Sequence, residues 1–361
     1  MKINYHNSGK AYLKVTMPET QNRQVLDQLK RPIKDLRISL TDKCQFRCTY
    51  CLPTEHVDVM RQHSQPEKHL SFDEITQVVK SFAQLGVNKI RLTGGEPLLR
   101  KNLSSLIQDI KNIGGIDEVA LTTNAGLLNP VLDDLIDAGL DRITISLDAI
   151  EQELFSQITG TQVSVDDVLS SINRCAELKT AGQLKQVKIN CVVQKEVNEN
   201  QIIPMLSHFR GTDVVVRFIE FMDVGNINGW QANQVLESQQ ILNLINDCWP
   251  THPIQATHLG EVANRHAFID GQGEFGLISS ISEPFCQDCN RARLSTQGEI
   301  YTCLFANKGH DIKALIGQPD KLLQSISNIW QQRSDQYSAQ RQNKTSKTSR
   351  LPKVEMFVIG G

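Results

Sequence analysis

Residues 36–52 read Leu-Arg-Ile-Ser-Leu-Thr-Asp-Lys-Cys-Gln-Phe-Arg-Cys-Thr-Tyr-Cys-Leu. The first half alternates apolar and polar side chains, the mark of a strand with two unlike faces. The second half sets Cys44, Cys48 and Cys51 in a C-x3-C-x2-C array. Three soft thiolates this close suit three irons of a [4Fe-4S] cluster and leave the fourth iron without a protein ligand. An open metal position is where a small molecule binds and reacts. A zinc knuckle, or three unrelated buried thiols, is the plainer alternative.

The same alternation recurs along the chain. β-rich runs at 36–40, 89–93, 118–122, 142–147, 186–193 and 214–220 are separated by longer amphipathic segments. The spacing predicts one helix clearly: Ser71 and Glu74 form a capping box, Ile75, Val78, Val79, Phe82 and Leu85 share a face, and Gly86 ends it. Strands alternating with helices imply a parallel sheet. Six units are fewer than the eight that close a barrel, so the expected fold is α/β, an open (β/α)6 partial TIM barrel.

Strands of a closed barrel read as continuous apolar runs, whereas these alternate. If the apolar set packs against outer helices, Arg37, Arg91, Thr122, Ser146, Lys188, Asn190 and Arg217 face the lumen. Several inward cations are costly to bury without an anion. A wet lumen holding a polyanion such as a triphosphate accounts for them.

A second array follows, Cys286 and Cys289 with Cys303, spaced C-x2-C-x13-C. His310 is the one candidate for a fourth zinc ligand nearby. Asn290-Arg291-Ala292-Arg293 comes directly after Cys289, and arginine suits phosphate, carboxylate or the face of a base. Two open clusters would take two bound substrates. Residues 226–330 are read as a smaller C-terminal domain carrying this second cluster and closing the open side of the barrel, after a barrel over 31–225. Residues 1–30 are an N-terminal extension, and 331–361 a flexible segment with a diglycine tail. The basic, polar stretch 331–350 reads as a solvated linker rather than a nucleic-acid contact.

Taken in order, 36–42 (Leu-Arg-Ile-Ser-Leu-Thr-Asp), 89–97 (Lys-Ile-Arg-Leu-Thr-Gly-Gly-Glu-Pro), 121–125 (Leu-Thr-Thr-Asn-Ala), 144–148 (Thr-Ile-Ser-Leu-Asp), 217–222 (Arg-Phe-Ile-Glu-Phe-Met), the second array and the terminal Gly360-Gly361 cover residues 31–361. This set resembles the GTP 3',8-cyclase family of molybdenum-cofactor biosynthesis, within the radical S-adenosylmethionine (SAM) superfamily. Lys43 and Leu52 depart from its usual Arg and Met, and neither is a cluster ligand.

The resemblance implies two [4Fe-4S] clusters, on Cys44, Cys48 and Cys51 and on Cys286, Cys289 and Cys303. It implies SAM beside the first, contacted by Tyr50, Gly95, Ser146, Asn190 and the backbone of Met222. GTP would meet Arg37, Arg91, Thr122, Lys188, Arg217, Arg291 and Arg293, and the catalytic tail would be Gly360 and Gly361. The family's chemistry begins with an adenosyl radical from SAM that takes the ribose 3' hydrogen, and the new radical attacks C8 of guanine. The product is 3',8-cyclo-7,8-dihydroguanosine 5'-triphosphate. Implied partners are an electron donor such as flavodoxin or ferredoxin, the downstream cyclic pyranopterin monophosphate synthase, and a second copy in a homodimer.

The 361 residues carry 38 basic and 40 acidic side chains, a formal charge of -2, which leaves no basic footprint for nucleic acid. No apolar run is long enough to span a membrane, and the first residues lack a signal-peptide core, so a cytoplasmic protein is expected. Nine cysteines, six of them in metal-like arrays, fit a reducing compartment, with Cys175, Cys191 and Cys248 read as ordinary burial. Two other readings stay open: a peptide-modifying radical SAM enzyme, and a non-catalytic zinc or iron-sulfur module for RNA.

Overall fold

Ser71 starts the first helix as its spacing requires. Its hydroxyl accepts from the Glu74 amide at 3.2 Å, and the Glu74 carboxylate accepts from the Ser71 amide at 2.7 Å. The helix, α1 (Phe72–Gln84), buries Ile75, Val78, Val79 and Phe82 and stops before Gly86, whose φ of +99° lies in the left-handed region. The structure is a computed structural model that describes residues 24–58, 65–258, 260–340 and 353–360. Residues 1–23 of the N-terminal extension, residues 341–350 of the polar stretch, and Gly361 lie outside it.

Six parallel strands follow the predicted runs: β1 (Asp35–Ser39), β2 (Lys89–Thr93), β3 (Glu118–Thr123), β4 (Arg142–Ser146), β5 (Gln186–Val193) and β6 (Val214–Glu220). They pair in sequence order. Between them lie α1, α2 (Leu103–Lys111), α3 (Leu132–Asp137), α4 (Gln152–Thr159), α5 (Val165–Thr180) and α6 (Ile202–Phe209). One core joins Leu36, Ile38, Ile90, Leu92, Ile145 and Ile189 of the strands to Val78, Phe82, Leu106, Ile172 and Leu206 of the helices. Each such burial contributes about 1.5–3 kcal/mol, so the apolar face of every strand is committed to the helix layer.

The C-terminal part differs from the separate closing unit that its position suggested. After α7 (Ser238–Cys248) come β7 (Thr251–Ile254), β8 (Asn264–Phe268), β9 (Glu274–Ile278), β10 (Arg291–Leu294), β11 (Glu299–Tyr301) and β12 (His310–Asp311). All join one mixed sheet, in the order β12-β11-β10-β1-β2-β3-β4-β5-β6-β9-β8-β7. β10 pairs parallel to β1 and β9 parallel to β6. Left alone, β1 and β6 would be open edges with unpaired backbone groups, and the added strands satisfy both.

Helix α8 (Pro319–Gln331) packs on α1, and α9 (Tyr337–Gln340) follows. Within 331–340, residues 333 and 335–338 are buried or half-buried while their neighbours are exposed, which corrects the solvated reading for that part. Arg333 is 4% exposed, and Tyr337 stacks on Phe305 with ring centroids 4.6 Å apart. Composition misleads here because the arginine's charge is met inside the protein. A last short helix, α10 (Met356–Ile359), precedes Gly360. Among the described residues no helix is long and apolar enough to cross a membrane.

Candidate active site

The polar faces of the strands assemble in rows. Arg293 of β10, Arg37 of β1 and Arg91 of β2 stand in register. Thr122, Thr144 and Lys188 form a second row across β3 to β5, and Ser146, Asn190 and Arg217 a third across β4 to β6. Arg91 Nη1 donates to the hydroxyls of Thr122 and Thr144, both at 3.2 Å. This face is crowded with like charge. Burial and the neighbouring Arg293, Arg91 and Arg291 push the Arg37 guanidinium well below its usual range. Burial, with Arg217, Arg142 and Arg91, brings the Lys188 ammonium down to about 6. Burial and the Arg91 charge bring Arg217 to about 9, still protonated at neutral pH.

Acids offset only part of this. Glu118 takes Lys89 at 2.8 Å and Arg142 at 2.7 Å. The buried Nε atoms of Arg37, Arg91 and Arg217, together with Ser39 Oγ and Asn190 Oδ1, have no hydrogen-bond partner among the described residues. Buried donors without partners are costly, so the face is built for an anionic, oxygen-rich ligand.

At the carboxyl end of β1 the chain enters the first cysteine loop. The glycines of 94–97 lie directly against it: the Gly95 amide donates to Thr41 O at 2.6 Å and the Glu96 amide to Lys43 O at 2.7 Å. A methyl group on Gly94 would overlap the Thr41 carbonyl, and one on Gly95 the Lys43 carbonyl. The close approach these glycines permit is therefore to the cysteine loop itself. Glu96, fully buried, accepts from Thr123 Oγ1, the Asn124 amide and the Leu98 amide, and burial still raises it to about 7. Asn124 Nδ2 lies 3.6 Å from Cys44 Sγ. Tyr50 donates to Asp148 Oδ2 at 2.7 Å, which pins the loop between Cys48 and Cys51 to the end of β4. Burial pushes Cys44 up to about 11 and Cys51 to about 12. Binding a metal would release these protons.

The second triad stands at the other end of the sheet. Cys289 lies two residues before β10, which runs parallel to β1, whereas Cys44 lies beyond the carboxyl end of β1. Cys303 follows β11, antiparallel to β10, and so returns to the Cys289 end. The polar face therefore lies between the triads, over roughly 15 Å of strand. Burial disfavours the Cys289 thiolate, but Arg291 and Arg333 outweigh it and bring the thiol to about 6. Arg291 Nη2 is 3.6 Å from Cys289 Sγ. Among the described residues no three His, Cys, Asp or Glu side chains close on a single metal-ion point, and His310 is exposed on β12. Two soft, three-thiolate sets without a fourth protein ligand fit the chemistry of iron-sulfur clusters.

The chain's last described residues reach this face. Arg293 Nη1 donates to Ile359 O at 3.1 Å and also to Gly360 O. Gly360 packs against Thr93 and Ser39 with φ +64°. Farther back, Glu355 accepts from the Asn226 amide and side chain, and Phe357 packs with Leu52 beside Cys51. Met222, whose carbonyl accepts from Asn228 Nδ2 at 3.0 Å, lies in the same turn after β6.

Sequence reasoning passed over Lys89 and Arg142, although the alternation that selects Arg91 and Ser146 selects them equally. It also passed over Asp148, Asn124 and Arg333. Asp148 closes one of the quoted motifs, so its place after β4 was a signal; Arg333 carried none.

Residues 38–209 match the family model of the Radical SAM superfamily, and residues 214–339 that of Molybdenum Cofactor Synthesis C. A protein of Xanthomonas campestris pv. campestris (strain 8004) named GTP 3',8-cyclase is 47% identical over 346 residues, 96% of this chain and all of that protein. One of the same name from Staphylococcus epidermidis is 45% identical over 341 residues, 93% of this chain and 99% of that one. Among solved structures, Streptococcus suis SuiB bound to S-adenosylmethionine aligns with a TM-score of 0.58 at 14% identity, covering 88% of this chain and 69% of that one. SuiB bound to its precursor peptide SuiA aligns at 0.61 and 13% identity, covering 91% and 71%.

Proposed function

The chain belongs to the GTP 3',8-cyclase family, radical SAM enzymes of the first step of molybdenum cofactor biosynthesis, and from this we propose how its own residues perform that reaction. It converts GTP to 3',8-cyclo-7,8-dihydroguanosine 5'-triphosphate. Cys44, Cys48 and Cys51 would hold one [4Fe-4S] cluster, and Cys286, Cys289 and Cys303 a second in the C-terminal part. Tyr50, Gly95, Ser146, Asn190 and the Met222 backbone would line the SAM site of an open (β/α)6 partial barrel. When bound and reduced, the first cluster with SAM supplies the radical that starts the chemistry.

Everything else is positioning. Arg91, Thr122, Lys188 and Arg217 take the triphosphate, whose charge supplies the missing partners of the buried Arg91 and Arg217 Nε donors. Arg37, Arg291 and Arg293 hold the nucleoside end toward the second cluster. The tail, Gly360 with Gly361, borders that site at Arg293 and helps keep water from it. The observation that carries this reading is the unneutralised cationic face lying between two cysteine triads at opposite strand ends. The likeness to SuiB carries the fold and not the substrate. An electron donor of the flavodoxin or ferredoxin kind, a homodimer, and hand-over to a cyclic pyranopterin monophosphate synthase complete the proposal, in a reducing cytoplasm that suits nine cysteines of which none is in a disulfide.

Iron and sulfide counting tests the two-cluster arrangement. The chain should hold about eight irons after anaerobic reconstitution, and about four when either triad is changed to alanine. Zinc without sulfide at the second triad would overturn it.

A further inference from the structure

Asp27 lies before the sheet, yet it is the centre of a buried network that ends on the second cysteine triad. Its Oδ2 accepts from Arg31 Nε at 2.6 Å and from Arg333 Nη1 at 3.3 Å. Asp27, Arg31 and Arg333 are 5%, 3% and 4% exposed. Arg31 Nη1 donates to the Cys286 carbonyl at 2.6 Å, and Arg333 Nη1 to the Cys289 carbonyl at 2.6 Å. Arg333 Nη2 lies 3.1 Å from Cys289 Sγ. The Trp330 ring, 4.5 Å from the Arg333 guanidinium, backs it, and Trp330 Nε1 donates to the Arg31 carbonyl at 3.0 Å.

We propose that Asp27, Arg31 and Arg333 are positioning residues for the second cluster, clamping the turn from Cys286 to Cys289 by its carbonyls and setting the cluster's potential through an Arg333 N–H on the Cys289 sulfur. The inference rests on the reading that Cys286, Cys289 and Cys303 hold that cluster. An N–H donor beside a cluster sulfur favours the reduced, more negative state and raises the potential. The planar guanidinium fork spreads its N–H groups over a carbonyl, a sulfur and a carboxylate, whereas a lysine ammonium gathers its donors on one atom. Asp27 holds both forks in place, and its charge lets two arginines be buried side by side.

The test uses a host chain with Cys44, Cys48 and Cys51 all changed to alanine, so that only the second triad loads. Into it go Arg333→Lys, and separately Asp27→Asn with Arg333→Gln. Both leave the trio's net charge unchanged and leave no lone buried carboxylate. Iron, sulfide, far-ultraviolet dichroism, the EPR signal of the reduced cluster and its midpoint potential are read. The proposal predicts a potential shifted to more negative values and an altered EPR signal in both variants. Loss of iron with native dichroism supports the clamp equally. Full iron with unchanged potential and EPR signal overturns it. A host that binds no iron and sulfide fails the two-cluster reading itself, and the proposal falls with it.

Discussion

Arg293 donates through Nη1 to the carbonyl of Gly360, so the last described residue is held by the same guanidinium that stands in register with Arg37. The last described residues and the cationic face are thus in direct contact. Arg293→Ala removes a nine-tenths-buried charged donor worth about 1.5–3 kcal/mol per bond. Product formation should fall by about tenfold to a hundredfold, with iron content intact; iron loss instead would make Arg293 a structural residue of the second triad.

Gly95→Ala would drive a methyl group into the Lys43 carbonyl. The loop must then move away from β2, and Cys44 with it. We expect the variant to lose the first cluster's iron and SAM cleavage while keeping the second cluster. Retention of both clusters and of cleavage would show that the close packing of residues 94–97 on 41–43 is dispensable.

Lys188 ties the cationic face to pH. Its folded pKa, about 6, lies below the usual lysine value because burial and then Arg217, Arg142 and Arg91 disfavour the charge. Between that value and the unfolded pKa of about 10.4, the unfolded chain binds more protons, so this residue makes stability rise with pH. Lys188→Met should flatten that rise in urea midpoints measured from pH 6 to 9. Binding of GTP should reverse the shift and take up a proton near pH 7, visible by calorimetry in buffers of different ionisation enthalpy. No proton uptake would remove Lys188 from the triphosphate contacts.

Glu220 at the end of β6 is fully buried and accepts from the Ser238, Ile281 and Ser282 amides and the Ser282 hydroxyl. Those donors belong to the start of α7 and to the loop that leads to Cys286. Glu220→Ala strands them, and a loss of about 3 kcal/mol is expected in denaturant titration. A change under about 0.5 kcal/mol would match an ordinary surface substitution and contradict the role.

The strands and their shared polar face were legible for a definite reason. Arg37, Arg91, Lys188 and Arg217 sit in runs whose neighbours are apolar, and a period of two leaves each only one face to occupy. The capping box of Ser71 and Glu74 is equally local. What composition could not show is long-range pairing. Arg333 lies in a polar stretch, 306 residues from Asp27, and only the fold brings them to the Cys289 sulfur. The joining of β9 and β10 to the sheet edges was hidden likewise, because short strands do not announce their partners.

The central claim, that the face between the triads holds GTP for radical cyclisation, is tested most directly by one anaerobic incubation. Reconstituted enzyme, SAM, a reductant and GTP are combined, and 5'-deoxyadenosine and the cyclised nucleotide are followed by mass spectrometry, with Arg217→Ala beside the unaltered chain. The account predicts both products from the unaltered chain only when every component is present, and loss of the cyclised nucleotide in Arg217→Ala with its clusters intact. Deoxyadenosine without any modified nucleotide from the unaltered chain, or full cyclisation by Arg217→Ala, would contradict it.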